Sequence, residues 1–141
     1  MKKSLKFYIL MILTILCTVI MTGCSSKREK YLDDGNSIDR IGEIVQNAQD
    51  NANMSSNVSE YNQTMKSAIN EIKDIKMRTY YGKLVKKRYI KYVEKCVKCV
   101  IKYHDCSEEK FTKKFQKYEK KYGKKLDKAL SKFEKKYNQI I

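Results

Sequence analysis

Residues 96–106 hold the one cluster of side chains in the sequence that could bind a metal or do redox chemistry. The cluster has the pattern Cys-x2-Cys-x4-His-x-Cys, and its members are Cys96, Cys99, His104 and Cys106. Thiolates and imidazoles are the ligands of structural zinc sites, and two thiols can instead form a disulfide. The third interpretation is packing in a core, because cysteine is among the residue types most often fully buried.

The periodicity around this cluster favours packing. Apolar residues recur at steps of three and four through residues 85–106, as they do on one face of a helix. Cys96 and Cys99 lie on that face, and a rigid helix cannot wrap around one ion. Seven helical residues span about 10 Å, so a Cys99–Cys106 disulfide requires Cys106 to lie beyond the helix end. We predict buried thiols, with this disulfide as an alternative, and no metal or cofactor.

The sequence also argues against catalysis. His104 is the only histidine, and pairing with Cys106 could activate the thiol, but nothing nearby resembles an oxyanion site. A histidine at the C-terminal end of a helix is the simpler interpretation. The sequence contains no glycine-rich phosphate loop and no hydrolase signature. We therefore expect no enzyme activity and no small-molecule substrate.

The same helical periodicity extends over four runs, residues 37–52, 58–80, 85–106 and 111–140. The chain has no proline and only five glycines, so the punctuation that β-hairpins need is almost absent. We predict an all-α fold, a small bundle of three or four helices.

Local signals suggest where these helices begin and end. Residues 36–37 can cap the first helix, and Asn57 with Glu60 resembles a capping box before the second. Residues 105–108 supply a further start signal. Gly82 either ends the second helix or weakens it, and the long last helix is expected to bend or break near Gly123.

The first 24 residues have the organisation of an export signal. Three lysines precede an apolar run at residues 7–21, which is shorter than the about 20 residues of a membrane-spanning helix. Met21-Thr22-Gly23-Cys24 then resembles the lipobox of bacterial lipoproteins, with Met21 where leucine is most common. That resemblance implies cleavage before Cys24, acylation of its thiol and a lipid-anchored location on the extracytoplasmic face of the cell membrane. An uncleaved anchor is the alternative.

Three segments follow from these observations. Residues 1–23 are the predicted signal peptide, residues 24–36 a lipidated cysteine and flexible tether, and residues 37–141 the helical domain. The tether is expected because its residues are polar and aperiodic.

Charge is distributed unevenly along the chain, whose formal net charge is +15. Residues 29–75 hold nine acids and four bases, whereas residues 76–141 hold 22 bases and seven acids. The basic half predicts an anionic partner, and the lysines assigned to it are Lys113, Lys117, Lys120, Lys121, Lys124, Lys128, Lys132, Lys135 and Lys136. An extracytoplasmic location makes nucleic acid a poor candidate, which leaves anionic lipid or a wall polymer.

Two other functions remain open at this stage. The helices could serve a protein partner, as in an accessory or immunity-type lipoprotein. A redox or metal role through the cysteine cluster is the least favoured function.

Overall fold

Four α-helices account for nearly all of residues 26–141, the part of the chain that the computed structural model describes. They are α1 (Ser26–Asn53), α2 (Val58–Asp74), α3 (Tyr80–Tyr103) and α4 (Glu108–Ile140), and no β-strand occurs among the described residues. The prediction of an all-α helical bundle is therefore confirmed.

The helices bury their apolar faces against one another around a single core. α3 and α4 form the most extensive contact, α1 packs on α2, and α2 packs on α3. Side chains at helical spacing fill the core; the largest fully buried ones include Ile38, Ile41, Met65, Ile72, Tyr89 and Leu126.

The first helix begins earlier than predicted. α1 starts at Ser26, so the prediction of a flexible tether is wrong for its described part, and residues 36–37 lie inside a helix and do not cap one. Tyr31 is buried, with its ring centroid 5.5 Å from that of Phe133 in α4. Asp34 is fully buried as well. A carboxylate interrupts an apolar pattern, so periodicity alone could not extend the helix through it.

The start of α2 confirms the predicted cap, with one difference in the bonding. The Asn57 side chain accepts a hydrogen bond from the backbone N–H of Glu60 at 2.9 Å. The Glu60 carboxylate, however, accepts from the backbone N–H and hydroxyl of Ser56, both at 2.9 Å. These bonds lower the pKa of Glu60, because they favour its charged form.

The helix boundaries near Gly82 and Gly123 also differ from those predicted. α2 ends at Asp74, and α3 begins at Tyr80 with Thr79 as its cap, so Gly82 lies in the first turn of α3. α4 runs unbroken through Gly123. One interior glycine costs about 1 kcal/mol, a penalty that the packing of α4 along α3 outweighs. α4 begins within the start signal predicted at residues 105–108, and Ser107 is its cap.

No helix in residues 26–141 is long and apolar enough to cross a membrane. The predicted signal peptide and the predicted lipid attachment at Cys24 lie outside the described residues.

Candidate anion-binding surface

A carboxylate from α1 holds the start of α3 in place. Asp34 accepts hydrogen bonds from the backbone N–H groups of Arg78 and Thr79, each at 2.8 Å, and from the Thr79 hydroxyl at 2.6 Å. The Thr79 hydroxyl in turn accepts from the backbone N–H of Gly82 at 2.9 Å. An anion is favoured at this position because the free N–H groups of a helix start carry partial positive charge.

This arrangement leaves no space for a side chain at Gly82. A Cβ atom on Gly82 would lie 2.1 Å from Oδ2 and 2.7 Å from Cγ of Asp34. Arg78 adds an ion pair with Asp33 at the surface beside it. The direction of α3, and of every lysine on it, therefore depends on contacts with α1.

The nine lysines predicted to meet an anionic partner all lie on α4. Eight are exposed and Lys136 is half-buried. The opposite face of the helix is buried through Phe111, Phe115, Leu126 and Phe133, so the lysines are directed outward. Six of them form what we call the outer face of α4: Lys113, Lys117, Lys120, Lys124, Lys128 and Lys135.

Acidic residues lie along only one edge of that outer face. At 3.6 residues per turn, Glu109, Asp127 and Glu134 align on the edge away from Tyr118 and Tyr122. Lys113 donates to the Glu109 carboxylate at 2.7 Å, and both side chains are mostly exposed. Such exposed pairs contribute little to stability. The outer face remains positive because its six lysines outnumber the three acidic residues along its edge.

A second row of lysines lies on α3, and its members were not among the residues predicted from the sequence to bind an anion. Its members follow steps of four, four, three and four along one face: Lys87, Lys91, Lys95, Lys98 and Lys102. Four are exposed and Lys95 is half-buried. Their spacing predicts a charged face on the helix, but the prediction for this segment rested on its apolar face.

The two rows meet where α3 and α4 pack side by side, a line we call the seam. Tyr103 of α3 lies in it, with the ammonium nitrogens of Lys102 and Lys114 at 5.4 and 5.7 Å from its ring centroid. Lys114 belongs to α4, so this ring is contacted by cations from both helices.

A denser group surrounds Tyr122 of α4. The ammonium nitrogens of Lys95, Lys121 and Lys125 lie 5.7, 5.5 and 6.0 Å from the centroid of its ring. Cation–π attraction of about 0.5–1 kcal/mol at exposed sites helps to hold each ammonium there. Within residues 26–141, none of the five lysines around the two rings forms an ion pair with a carboxylate.

The helices consequently divide into two layers of unequal charge. α1 and α2 carry nine acidic and six basic side chains, a net charge of −3. α3 and α4 carry six acidic and 20 basic ones, a net charge of +14. The charge asymmetry of the sequence thus becomes a strongly positive layer on one side of the bundle.

The cysteine cluster forms neither a disulfide nor a metal-binding group among the described residues. Cys96, Cys99 and Cys106 are all free thiols, so the alternative of a Cys99–Cys106 disulfide is not realised. Cys99 is fully buried within α3, whereas Cys106 lies beyond the helix end. Burial raises the pKa of Cys96 to about 12, although a hydrogen bond with Tyr92 opposes part of that shift. A thiol with that pKa is protonated and unreactive near neutral pH.

His104 lies at the C-terminal end of α3, where the sequence predicted it. Its Nδ1 is 2.8 Å from the carbonyl oxygen of Ile101, and its Nε2 is 3.0 Å from the Asp105 carboxylate. Both ring nitrogens are therefore engaged with neighbours on the same segment. Among residues 26–141, no group of three or more His, Cys, Asp or Glu side chains is placed to hold a metal ion.

An open groove of about 710 Å³ lies between α1 and α2. Half of its lining residues are uncharged and polar, with Asn47, Asn51, Gln63 and Thr64 among them, and Glu60 and Glu71 are its charged groups. The lining includes no cysteine, histidine or lysine.

Comparison with known proteins adds no assignment: no family model, no curated protein and no solved structure matches the chain.

Proposed function

We propose that this protein is a non-catalytic lipoprotein, anchored at the extracytoplasmic face of the cell membrane, whose α3–α4 layer binds an anionic component of the envelope. The observation that carries the proposal is the net charge of +14 on two adjacent helices, with lysines of both helices converging at the seam.

The magnitude of this charge is sufficient for binding without a shaped pocket. A lysine close to an anionic surface contributes about 1 kcal/mol, and the effect falls off within a Debye length, which is about 8 Å at physiological ionic strength. Engagement of only five or six lysines would therefore give micromolar to millimolar binding after the cost of association. Local tethering by the lipid would raise the effective concentration further.

The lipid anchor rests on the resemblance of residues 21–24 to a lipobox. Mass spectrometry of membrane-derived protein tests it directly: we expect a chain that begins at an acylated Cys24, and a Cys24→Ser chain that retains the preceding residues. An intact Met1 on the wild-type protein, or an unmodified Cys24, would show that the lipoprotein assignment is wrong.

Anion binding is tested with the full chain reconstituted in neutral-lipid nanodiscs, using vesicles rich in phosphatidylglycerol and isolated wall material as probes. A layer variant replaces six lysines of α3 and α4 by Gln: Lys95, Lys117, Lys121, Lys124, Lys125 and Lys128. A matched control replaces six exposed basic residues elsewhere on the bundle: Lys27, Lys30, Arg40, Lys66, Lys73 and Lys76.

The layer variant should bind at least tenfold more weakly than wild type, and the control should lose less than threefold. Binding should also weaken steeply as salt rises from 50 to 200 mM, because released counterions drive it. Equal losses in the two variants, or binding that ignores salt, would exclude this surface. Cross-linking in cells to one stoichiometric protein would instead support the accessory-protein alternative.

A further inference from the structure

The arrangement of charge at the seam narrows the kind of anion that this surface would bind. We propose that the ligand is a linear polyanion, a chain with repeated phosphate groups, and that it lies along the α3–α4 seam. This inference rests on the proposed function and deepens it.

Cations from both helices converge at the seam. Three ammonium groups approach the Tyr122 ring within 6.0 Å, and two approach the Tyr103 ring within 5.7 Å. Like charges gathered around one ring repel one another, and none of these five lysines forms an ion pair with a carboxylate within the described chain. A compact anion that enters between the lysines removes this repulsion, whereas a flat surface contacts only the outermost ammonium groups.

The cluster of cations around a tyrosine ring occurs twice along the seam. Lys95 and Tyr103 mark the two positions on α3, and eight helical residues separate them by about 12 Å. Lysines of α4 face both positions, because Lys114 lies over Tyr103 and Tyr122 lies under Lys95. A chain with anionic groups at short intervals can occupy both positions at once, and linked contacts of this kind bind more tightly than separate ones.

Acidic residues border the lysines of the two helices. Glu94 lies on the α2-facing edge of α3 and is 3.9 Å from Lys73 of α2. Asp127 and Glu134 lie on the opposite edge of α4. The positive surface is therefore a strip that follows the helix axes, with acidic residues on both sides, and not a broad face.

The strip also lacks the apolar side chains with which interfacial helices enter a lipid surface. Within residues 26–141, the large hydrophobic side chains that are mostly exposed are Met54 and Tyr80. Met54 follows α1 and Tyr80 is the first residue of α3, so neither lies among the lysines of the strip. The apolar face of α4 is already buried against the core. These features favour a soluble or wall-attached chain over the membrane surface.

The test uses the full chain in neutral-lipid nanodiscs and three probes: pyrophosphate, long-chain linear polyphosphate, and vesicles containing phosphatidylglycerol. A seam variant replaces Lys95, Lys121 and Lys125 by Gln. It is compared with the outer-face variant at Lys117, Lys124 and Lys128, which removes the same charge from the same side of the bundle.

We expect the seam variant to bind polyphosphate at least tenfold more weakly than wild type, and the outer-face variant to lose no more than about threefold. The slope of log affinity against log salt should fall by about 2 in the seam variant, since each lost phosphate contact contributes about 0.7 for a single-stranded chain. Polyphosphate should bind at least 100-fold more tightly than pyrophosphate, which reaches only one position.

Three results would overturn the inference. Equal losses of polyphosphate binding in the two variants would show that only total charge matters. Pyrophosphate binding as tight as polyphosphate binding would exclude a two-position chain site. Strong vesicle binding that depends on the outer face and not on the seam would favour a lipid surface, and the proposed function would stand. Binding of wild type to none of these probes or to wall material at 50 mM salt would instead remove the proposed function itself.

Discussion

Replacing Gly82 by alanine should destabilise the bundle, although alanine is the better helix former. The added Cβ would lie 2.1 Å from Oδ2 of the fully buried Asp34, so the carboxylate has to move. Movement breaks or weakens hydrogen bonds from two backbone N–H groups and the Thr79 hydroxyl. Hydrogen bonds to a charged group contribute about 1.5–3 kcal/mol each.

The net magnitude follows from two opposing effects. Loss of one to two of these bonds costs about 2–5 kcal/mol, and the higher helix propensity of alanine returns about 1 kcal/mol. We therefore expect the free energy of unfolding to fall by about 3 kcal/mol. With a urea m-value of about 1.5 kcal/mol/M, the unfolding midpoint would fall by about 2 M.

Gly123→Ala is the matched control. A Cβ at Gly123 would lie 3.5 Å from Cε2 of Tyr92, an ordinary contact distance. The same substitution in α4 should therefore stabilise the protein by about 0.5–1 kcal/mol. Urea unfolding followed by circular dichroism at 222 nm measures both variants, and the two should shift in opposite directions.

A double variant identifies the cause of the Gly82 effect. In an Asp34→Ala background the obstructing carboxylate is absent, so Gly82→Ala should be neutral or mildly stabilising. A Gly82→Ala variant as stable as wild type would refute the reasoning. An equal loss with and without the Asp34 carboxylate would also refute it, because the penalty would then arise elsewhere.

Three further predictions concern caps and thiols. Burial raises the pKa of Cys96 to about 12, whereas a thiol in unfolded protein has a pKa of about 8.5. Alkylation of Cys96 by iodoacetamide at pH 8 should therefore be about 1,000-fold slower in the folded protein than in the unfolded protein. Fast labelling of Cys96 in the folded protein would contradict its burial. Asn57→Ala should lower the free energy of unfolding by about 1 kcal/mol in urea, and no change would show that the cap is dispensable. The lowered pKa of Glu60 stabilises the fold above its unfolded pKa of about 4.3, and this contribution is lost as pH falls through the folded pKa. Glu60→Gln should thus cost stability at pH 6 and none at pH 2, and a loss independent of pH would exclude the charged interaction with Ser56.

Helix positions were predictable wherever apolar residues recurred at helical spacing. The runs at residues 85–106 and 111–140 correspond to α3 and α4 because each buries a continuous stripe. Residues 26–36 were not predicted to be helical, because Asp34 interrupts the apolar stripe in that segment. A buried carboxylate is acceptable only when distant donors satisfy it, and here the donors are 44 and 45 residues away.

Only the α4 lysines of the candidate surface were predicted from the sequence. The lysines of α4 dominate that helix and were assigned from sequence, whereas the α3 row shares its helix with the buried cysteines and tyrosines. The spacing of the lysines within α3 or α4 does not indicate which side of each helix packs against the other helix. Tyr122 and Lys95 are 27 positions apart, and only the antiparallel packing of α3 on α4 brings the ring and the ammonium together.

The amino-acid sequence by itself determined the all-α class, the cap at Asn57, the helix start at residues 105–108, and the accumulation of positive charge in the second half of the chain. These properties depend on neighbouring residues and on helical periodicity, which are local. Tertiary structure decided the burial of Asp34 against the start of α3 and the meeting of two lysine rows at one seam. Both depend on which helices pack together, and that choice is made by the core as a whole.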